Sequence, residues 1–211
     1  MRVLVIGSHG KVGRHVVRLL HEAGHEARAM IRDAEQTGEM RRLGGDPVLA
    51  DLEDDITHAM KGSRAVVFTA GSGGHTGPEK TKDVDRDGAI RAIETAEALG
   101  VDRFVMVSAM NADDPAGGNE KIRHYLEAKK IADDRLMASS LDYVIVRPGR
   151  LSDDPGTGKV RVGTGLGSGE VPREDVAAVV VAALEEEAAS GAVFELLSGK
   201  TPIAEAVRSL G

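Results

Sequence analysis

Residues 3–24 read VLVIGSHGKVGRHVVRLLHEAG. An unbroken apolar run, Val3 to Ile6, stops at Gly7, and two more glycines follow at three-residue intervals, Gly10 and Gly13. The run reads as a strand and the stretch after Gly10 as an amphipathic helix. A glycine-rich turn between strand and helix is the pattern of a pyrophosphate cradle. One glycine permits the tight turn, one lets the backbone approach the phosphates, and one lets the helix pack close to the strand. The helix N-terminus then offers free N–H groups and a partial positive charge. The expected cofactor contacts in this stretch are Gly7, Ser8, Gly10, Lys11, Val12 and Gly13. The bland alternative is a structural turn that binds nothing.

Outward from this turn, short β-branched runs alternate with helical patterns. The predicted strands are Arg2–Ile6, Ala27–Ile31, Pro47–Leu49, Ala65–Thr69, Arg103–Ser108, Tyr143–Val146 and Val193–Leu197. Several are continuously apolar, as strands are when helices cover both faces of their sheet. Helical patterns lie near Lys11–Ala23, Ile56–Met60, Val84–Leu99, Glu120–Ala138 and Arg173–Glu187. This alternation predicts right-handed βαβ units and an α/β fold, a doubly wound parallel sheet of Rossmann type in a single domain over 1–211. The stretches 71–82 and 156–169 are rich in glycine and read as mobile loops. The second belongs to a small C-terminal portion, about 149–172, that is expected to serve as a lid over the substrate.

Composition narrows the function classes. The chain has 211 residues, a net charge of −7 and no cysteine. The acidic balance argues against a nucleic-acid surface. Disulfides, zinc–thiolate sites and a cysteine nucleophile are excluded. No apolar run approaches the ~18 residues of a membrane span. No basic segment followed by an apolar run opens the chain, so a cytoplasmic protein with a small-molecule partner is expected. Oligomeric state is not legible.

The end of the second strand should meet the adenosine ribose. It reads AMIRD. Asp33 stands about 20 residues beyond Gly13, where an acid binds the ribose 2′-hydroxyl of NAD. Arg32 beside it suits the 2′-phosphate of NADP, so NADP (NADPH) is favoured over NAD. Asp51 and Leu52 close the third strand, where the adenine is expected.

GSHGKVG, IRD, ADLED, FTAG, VDRFVMVS, HYLEAK, DYVIVRPG and PREDVA, spread along almost the whole chain, together make it resemble the short-chain dehydrogenase/reductase superfamily. The likeness is to its small atypical members, which are NAD(P)-binding or epimerase-like. The resemblance implies that Ala70 and Gly71 pass beside the adenosine ribose. Ser108, Pro148 and Leu151 would then complete the cofactor site at its nicotinamide end. It also gives HYLEAK a role. Tyr125 and Lys129 are four apart on a predicted helix and project from one face. In the family a tyrosine so placed exchanges a proton with the substrate oxygen. The lysine holds the nicotinamide ribose and lowers the phenol pKa from about 10. Tyr125, Lys129 and Ser108 are therefore the candidate catalytic residues. The chain departs from the family in VSAMNAD, where Met110 stands at the position expected to carry the catalytic hydroxyl. It also lacks the large C-terminal lobe of sugar epimerases.

Other patterns are set aside. HEAGH, His21 to His25, matches H-E-x-x-H, but Gly24 is a helix C-cap candidate and separates the histidines. Asp83 to Glu94 matches the EF-hand loop, but no helix precedes it and no second hand exists. Gly158-Lys159 lacks the first glycine of a P-loop. Asp133-Asp134 and Asp153-Asp154 read as solvated surface, and no metal site is expected. The sequence reading is thus an NADP(H)-dependent oxidoreductase moving hydride to or from a small carbonyl, quinone or flavin-like substrate. Its rivals are a redox sensor that binds NADP without turnover and an epimerase or dehydratase that retains its cofactor.

Overall fold

The opening apolar run becomes a central strand, β1 (Arg2–Ile6), in the computed structural model, which describes residues 1–72, 77–117 and 120–211. The chain continues through α1 (Lys11–Glu22), β2 (Glu26–Ile31), α2 (Thr37–Arg42), β3 (Asp46–Leu49), α3 (Thr57–Met60), β4 (Ala65–Phe68) and α4 (Pro78–Thr81). A π-helical run, Lys82–Gly88, leads into α5 (Ala89–Leu99). Then come β5 (Arg103–Val107), α6 (Arg123–Met137), β6 (Asp142–Pro148), β7 (Arg150–Ser152), β8 (Lys159–Gly163) and β9 (Glu170–Pro172). The chain closes with α7 (Arg173–Glu185), β10 (Val193–Ser198), β11 (Thr201–Pro202) and α8 (Ile203–Arg208).

Among the described residues, nine strands form one sheet in the order β11-β8-β10-β6-β5-β4-β1-β2-β3. From β10 to β3 every pairing is parallel, with Val3 opposite Ala27 on one side and Ala65 on the other. The continuous apolar strands are explained by two cores. Val3, Val5, Val67 and Val105 pack with Val16, Val17 and Leu20 of α1 and with the valines of α7. Their neighbours Leu4, Ile6, Phe68 and Phe104 pack on the other side with Ile93 of α5 and Leu136 of α6. Successive residues of one strand face opposite layers. The fold is therefore a mostly parallel, Rossmann-type sheet with helices on both faces.

The C-terminal third differs from the sequence reading. The stretch 156–169, read as a loop, contains β8, which runs antiparallel to β10 and β11 and makes the sheet mixed rather than wholly parallel. Its glycine-interrupted sequence hid a strand whose partner lies more than thirty residues downstream. β7 pairs with β9 in a separate two-stranded ribbon, so the two ends of 149–172 are tied to each other. The other glycine-rich stretch, 71–82, falls partly outside the described residues, at 73–76. Its latter part is α4, so the helical run starts before Val84. The helix predicted from Glu120 starts with one 3₁₀ turn, Glu120–Ile122. Gly24 ends α1 with a φ of 80°, and His25 lies outside the helix, its Nε2 against Glu185. The H-E-x-x-H pattern is thereby broken as expected.

Candidate cofactor and active site

Strand order reverses between β1 and β4, and ligands of such sheets bind in the crevice beyond the strand ends at that point. A cavity of ≈ 330 Å³ occupies it. Gly7, Gly10, Arg32, Asp51, Leu52, Ala70 and Gly71 line it, joined by His9, Gln36, Ser72 and Lys80, which the sequence reading did not name.

The glycines have separate reasons. Gly7 has a φ of 82°, and a Cβ there would sit 2.6 Å from the Ala70 nitrogen. At Gly13 it would sit 2.2 Å from the Gly7 carbonyl oxygen, so Gly13 lets α1 lie against the turn. At Gly10 it would meet only the Gly7 oxygen, at 3.1 Å, and the cavity side is open. Gly10 is the N-cap of α1, with no side-chain cap and no acid in the first turn. Among the described residues its leading N–H groups find no side-chain acceptor, which is the condition for holding an anion. The cradle therefore fits a dinucleotide pyrophosphate. Ser8 and Val12 turn inward: the Ser8 hydroxyl donates to the Met30 carbonyl at 2.6 Å, and Val12 joins the core. The Lys11 ammonium pairs with Asp153, which also takes Arg173.

Arg32 and Asp33 part company at the end of β2. Arg32 is exposed at the cavity wall. Among the described residues it has no ion-pair partner. The Asp33 carboxylate accepts the Glu35 N–H at 2.9 Å and caps the 3₁₀ turn Ala34–Gln36. Asp51 accepts the Glu53 N–H at 3.0 Å and so shapes the turn beside Leu52.

The second cluster lies beneath α6. Tyr125, Lys129 and Asp133 recur every four residues on one face. Lys129 is 2% exposed, and its Nζ lies 3.1 Å from Asp85 Oδ1, 5.7 Å from the Tyr125 ring centre and 5.9 Å from that of Phe68. Asp85 comes from the π-helical run and is fully buried. Its Oδ2 accepts the Ser72 N–H at 3.0 Å. Asp133 is also fully buried. It accepts the Ser108 hydroxyl at 2.9 Å and the Arg147 Nε at 3.0 Å. Burial pushes its carboxyl above the usual range, against the pull of Ser108 and Arg147. Asp133 thus corrects the surface reading, whereas Asp134 is exposed and pairs with Lys130. Asp85, Asp133 and Arg147 were all missed as site residues. At the same end of the sheet, the Met110 N–H donates to the Pro148 carbonyl at 3.1 Å, which ties the strand ends of β5 and β6 together. Leu151 packs against the valine-rich core from β7, away from the crevice cavity.

The Tyr125 phenol stands opposite to the family expectation. Burial raises it above its ordinary value, the Lys129 charge opposes this, and Asp85 and Asp133 add to the rise. Burial also disfavours the Lys129 charge, but Tyr125, Asp85 and Asp133 outweigh it and hold the ammonium above its ordinary value.

Comparisons with known proteins agree with this geometry. The chain matches the family model described as NAD(P)H-binding over residues 7–187. It is 45% identical to YhfK of Bacillus subtilis, named as a sugar epimerase but uncharacterized, with all of both chains covered. A solved structure from Bacillus halodurans, named for the NAD-dependent epimerases/dehydratases, is 47% identical, with a TM-score of 0.97 and 99% of each chain covered. The oxidoreductase ylbE of Lactococcus lactis is 28% identical, with a TM-score of 0.89 over 100% of this chain and 96% of that one. With an uncapped helix at a glycine turn, a crevice at the strand switch and these matches, the chain belongs to the NAD(P)H-binding family of Rossmann-type proteins, akin to the atypical short-chain dehydrogenases/reductases.

Proposed function

We propose that this protein is an NADP(H)-dependent oxidoreductase acting on a small carbonyl, quinone or flavin-like substrate. The observation that carries the hydride-transfer reading is the half-buried Tyr125 set beside the buried Lys129 at the crevice end of α6. The choice of NADPH over NADH rests on Arg32 lining the cavity while Asp33 is engaged as a cap. When bound, a reduced nicotinamide supplies a hydride. Gly7, Gly10 and the first turn of α1 would hold its pyrophosphate, and Arg32 would meet the 2′-phosphate. Lys129 would hold a ribose hydroxyl. Tyr125 would give its phenolic proton to a substrate carbonyl oxygen, which takes up the C=O electron pair as that carbon is reduced. The phenolate recovers its proton from solvent. The segment 149–172 is the wall of the substrate side.

The test is NADPH oxidation with a panel of carbonyl, quinone and flavin acceptors, and Tyr125→Phe with whichever proves active. The variant is expected to lose about 10²–10⁴ in rate with little change in cofactor affinity. Unchanged turnover removes Tyr125 from the mechanism. One observation favours a second reading, a sensor that binds NADP(H) without turnover: the Ser108 hydroxyl is already donated to Asp133. A large NADP/NADPH affinity difference with no acceptor reduced supports that reading.

A further inference from the structure

Asp85 has no place in the sequence reading or in the mechanism above. It is a fully buried carboxylate on a π-helical run, and runs of that kind are rare and concentrate at functional sites. Its Oδ2 is taken by the Ser72 N–H, while its Oδ1 makes no hydrogen bond of good geometry and faces the Lys129 ammonium at 3.1 Å. That oxygen also stands where a Cβ at Gly71, on the cavity wall, would lie 3.2 Å away. A buried charge of this sort is retained only against an opposite charge. The two helices thus meet over one ion pair, directly beneath Tyr125.

We propose that Asp85 is a positioning residue that pins the Lys129 ammonium and cancels its charge, so that Tyr125 stands in the site as a neutral phenol, a proton donor rather than a base. An unpaired ammonium beside a phenol favours the phenolate, and a neutralised one does not. Among the described residues, the charged groups facing Tyr125 are Lys129 and Asp133 from its own helix and Asp85 from the π-helical run, with Arg147 of β6 turned to Asp133. Burial of the ring acts in the same sense as the two carboxylates. The consequence for catalysis, a site biased toward reducing its substrate, rests on the hydride-transfer reading. The ionisation state of the phenol does not.

The chain allows a direct measurement, because it has two tyrosines and no tryptophan. In a Tyr143→Phe protein, Tyr125 is the sole phenol, and its tyrosinate absorbance can be titrated without cofactor. The phenol is expected to titrate above about 10. Adding Asp85→Asn, which keeps the shape and removes the charge, is expected to lower the midpoint by about one pH unit. Lys129→Met is expected to raise it, and Asp85→Asn/Lys129→Met to return it near the Tyr143→Phe value. An unchanged midpoint in an Asp85→Asn protein that circular dichroism shows to be folded overturns the proposal. Should that variant not fold, the charge-balanced double variant decides: a midpoint as high as that of Lys129→Met alone overturns it equally. Because no cofactor or substrate is present, failure here is distinct from failure of the hydride-transfer reading. If an acceptor is found, the alkaline limb of its reduction rate is expected to move to lower pH in Asp85→Asn.

Discussion

Arg32 lines the crevice cavity, while its neighbour Asp33 caps the 3₁₀ turn that follows β2. Arg32→Ala removes the only group of the pair free to meet a 2′-phosphate. Charge-assisted hydrogen bonds contribute about 1.5–3 kcal/mol, so a roughly ten- to hundredfold preference for NADPH over NADH should largely vanish. Calorimetric titration of both cofactors against wild type and variant checks this, and equal affinities in the wild type contradict it. The residues that sequence made legible are those whose job is fixed by local chain geometry, such as Gly7, Gly13 and the end of β2. Asp85 and Asp133 were not legible. An acid in a helix reads as solvated, and only the packing of α6 against the π-helical run and β5 shows that both are sealed from water. Ser108 shows the same limit in reverse. Its position was readable, but not that its proton is directed to Asp133.

Whole elements were legible where burial on both sheet faces gave unbroken apolar strands, as in β1, β4 and β5. They were not legible where strands are short and long-range in pairing, as in β7, β8, β9 and β11. A π-helical run also carries no pattern distinct from an α-helix at this length. The EF-hand-like stretch Asp83–Glu94 lies within that run and α5, with no loop to wrap an ion. Millimolar calcium is therefore expected to leave Tm unchanged, since a ligand stabilises only what it binds. A rise of several degrees that Asp85→Asn abolishes would contradict this. The seating of α7 gives a second prediction. Arg103, buried at the start of β5, donates to the Ala183 and Glu186 carbonyls at 2.8 and 2.7 Å and to Asp142 at 2.7 Å. A cation there satisfies the open carbonyls at the end of α7 and suits the helix dipole. Arg103→Met is expected to cost about 2–4 kcal/mol, a fall in Tm of roughly 5–15 °C in calorimetry.

Across the molecule, Asp153 joins the first third to the last by bridging Lys11 of α1 and Arg173 of α7. The Lys11 hydrogen bond and the two nearby cations hold its carboxyl below the ordinary value. A carboxyl with a depressed folded pKa contributes stability above its unfolded value, near 3.9, and that contribution is lost as pH falls through the folded value. Hydrogen exchange at 152–154, corrected for intrinsic rates, is expected to quicken as pH falls below about 4. No change across that window contradicts the bridge. The outermost strands, β3 and β11, each contain a proline, Pro47 and Pro202, and so each has one residue with no N–H to offer. An open sheet edge is otherwise a template on which another chain can lay a strand and start an aggregate. With both edges blunted, addition of a strand at either margin is disfavoured, and crowding of partly unfolded copies should not seed fibrils from the sheet margins.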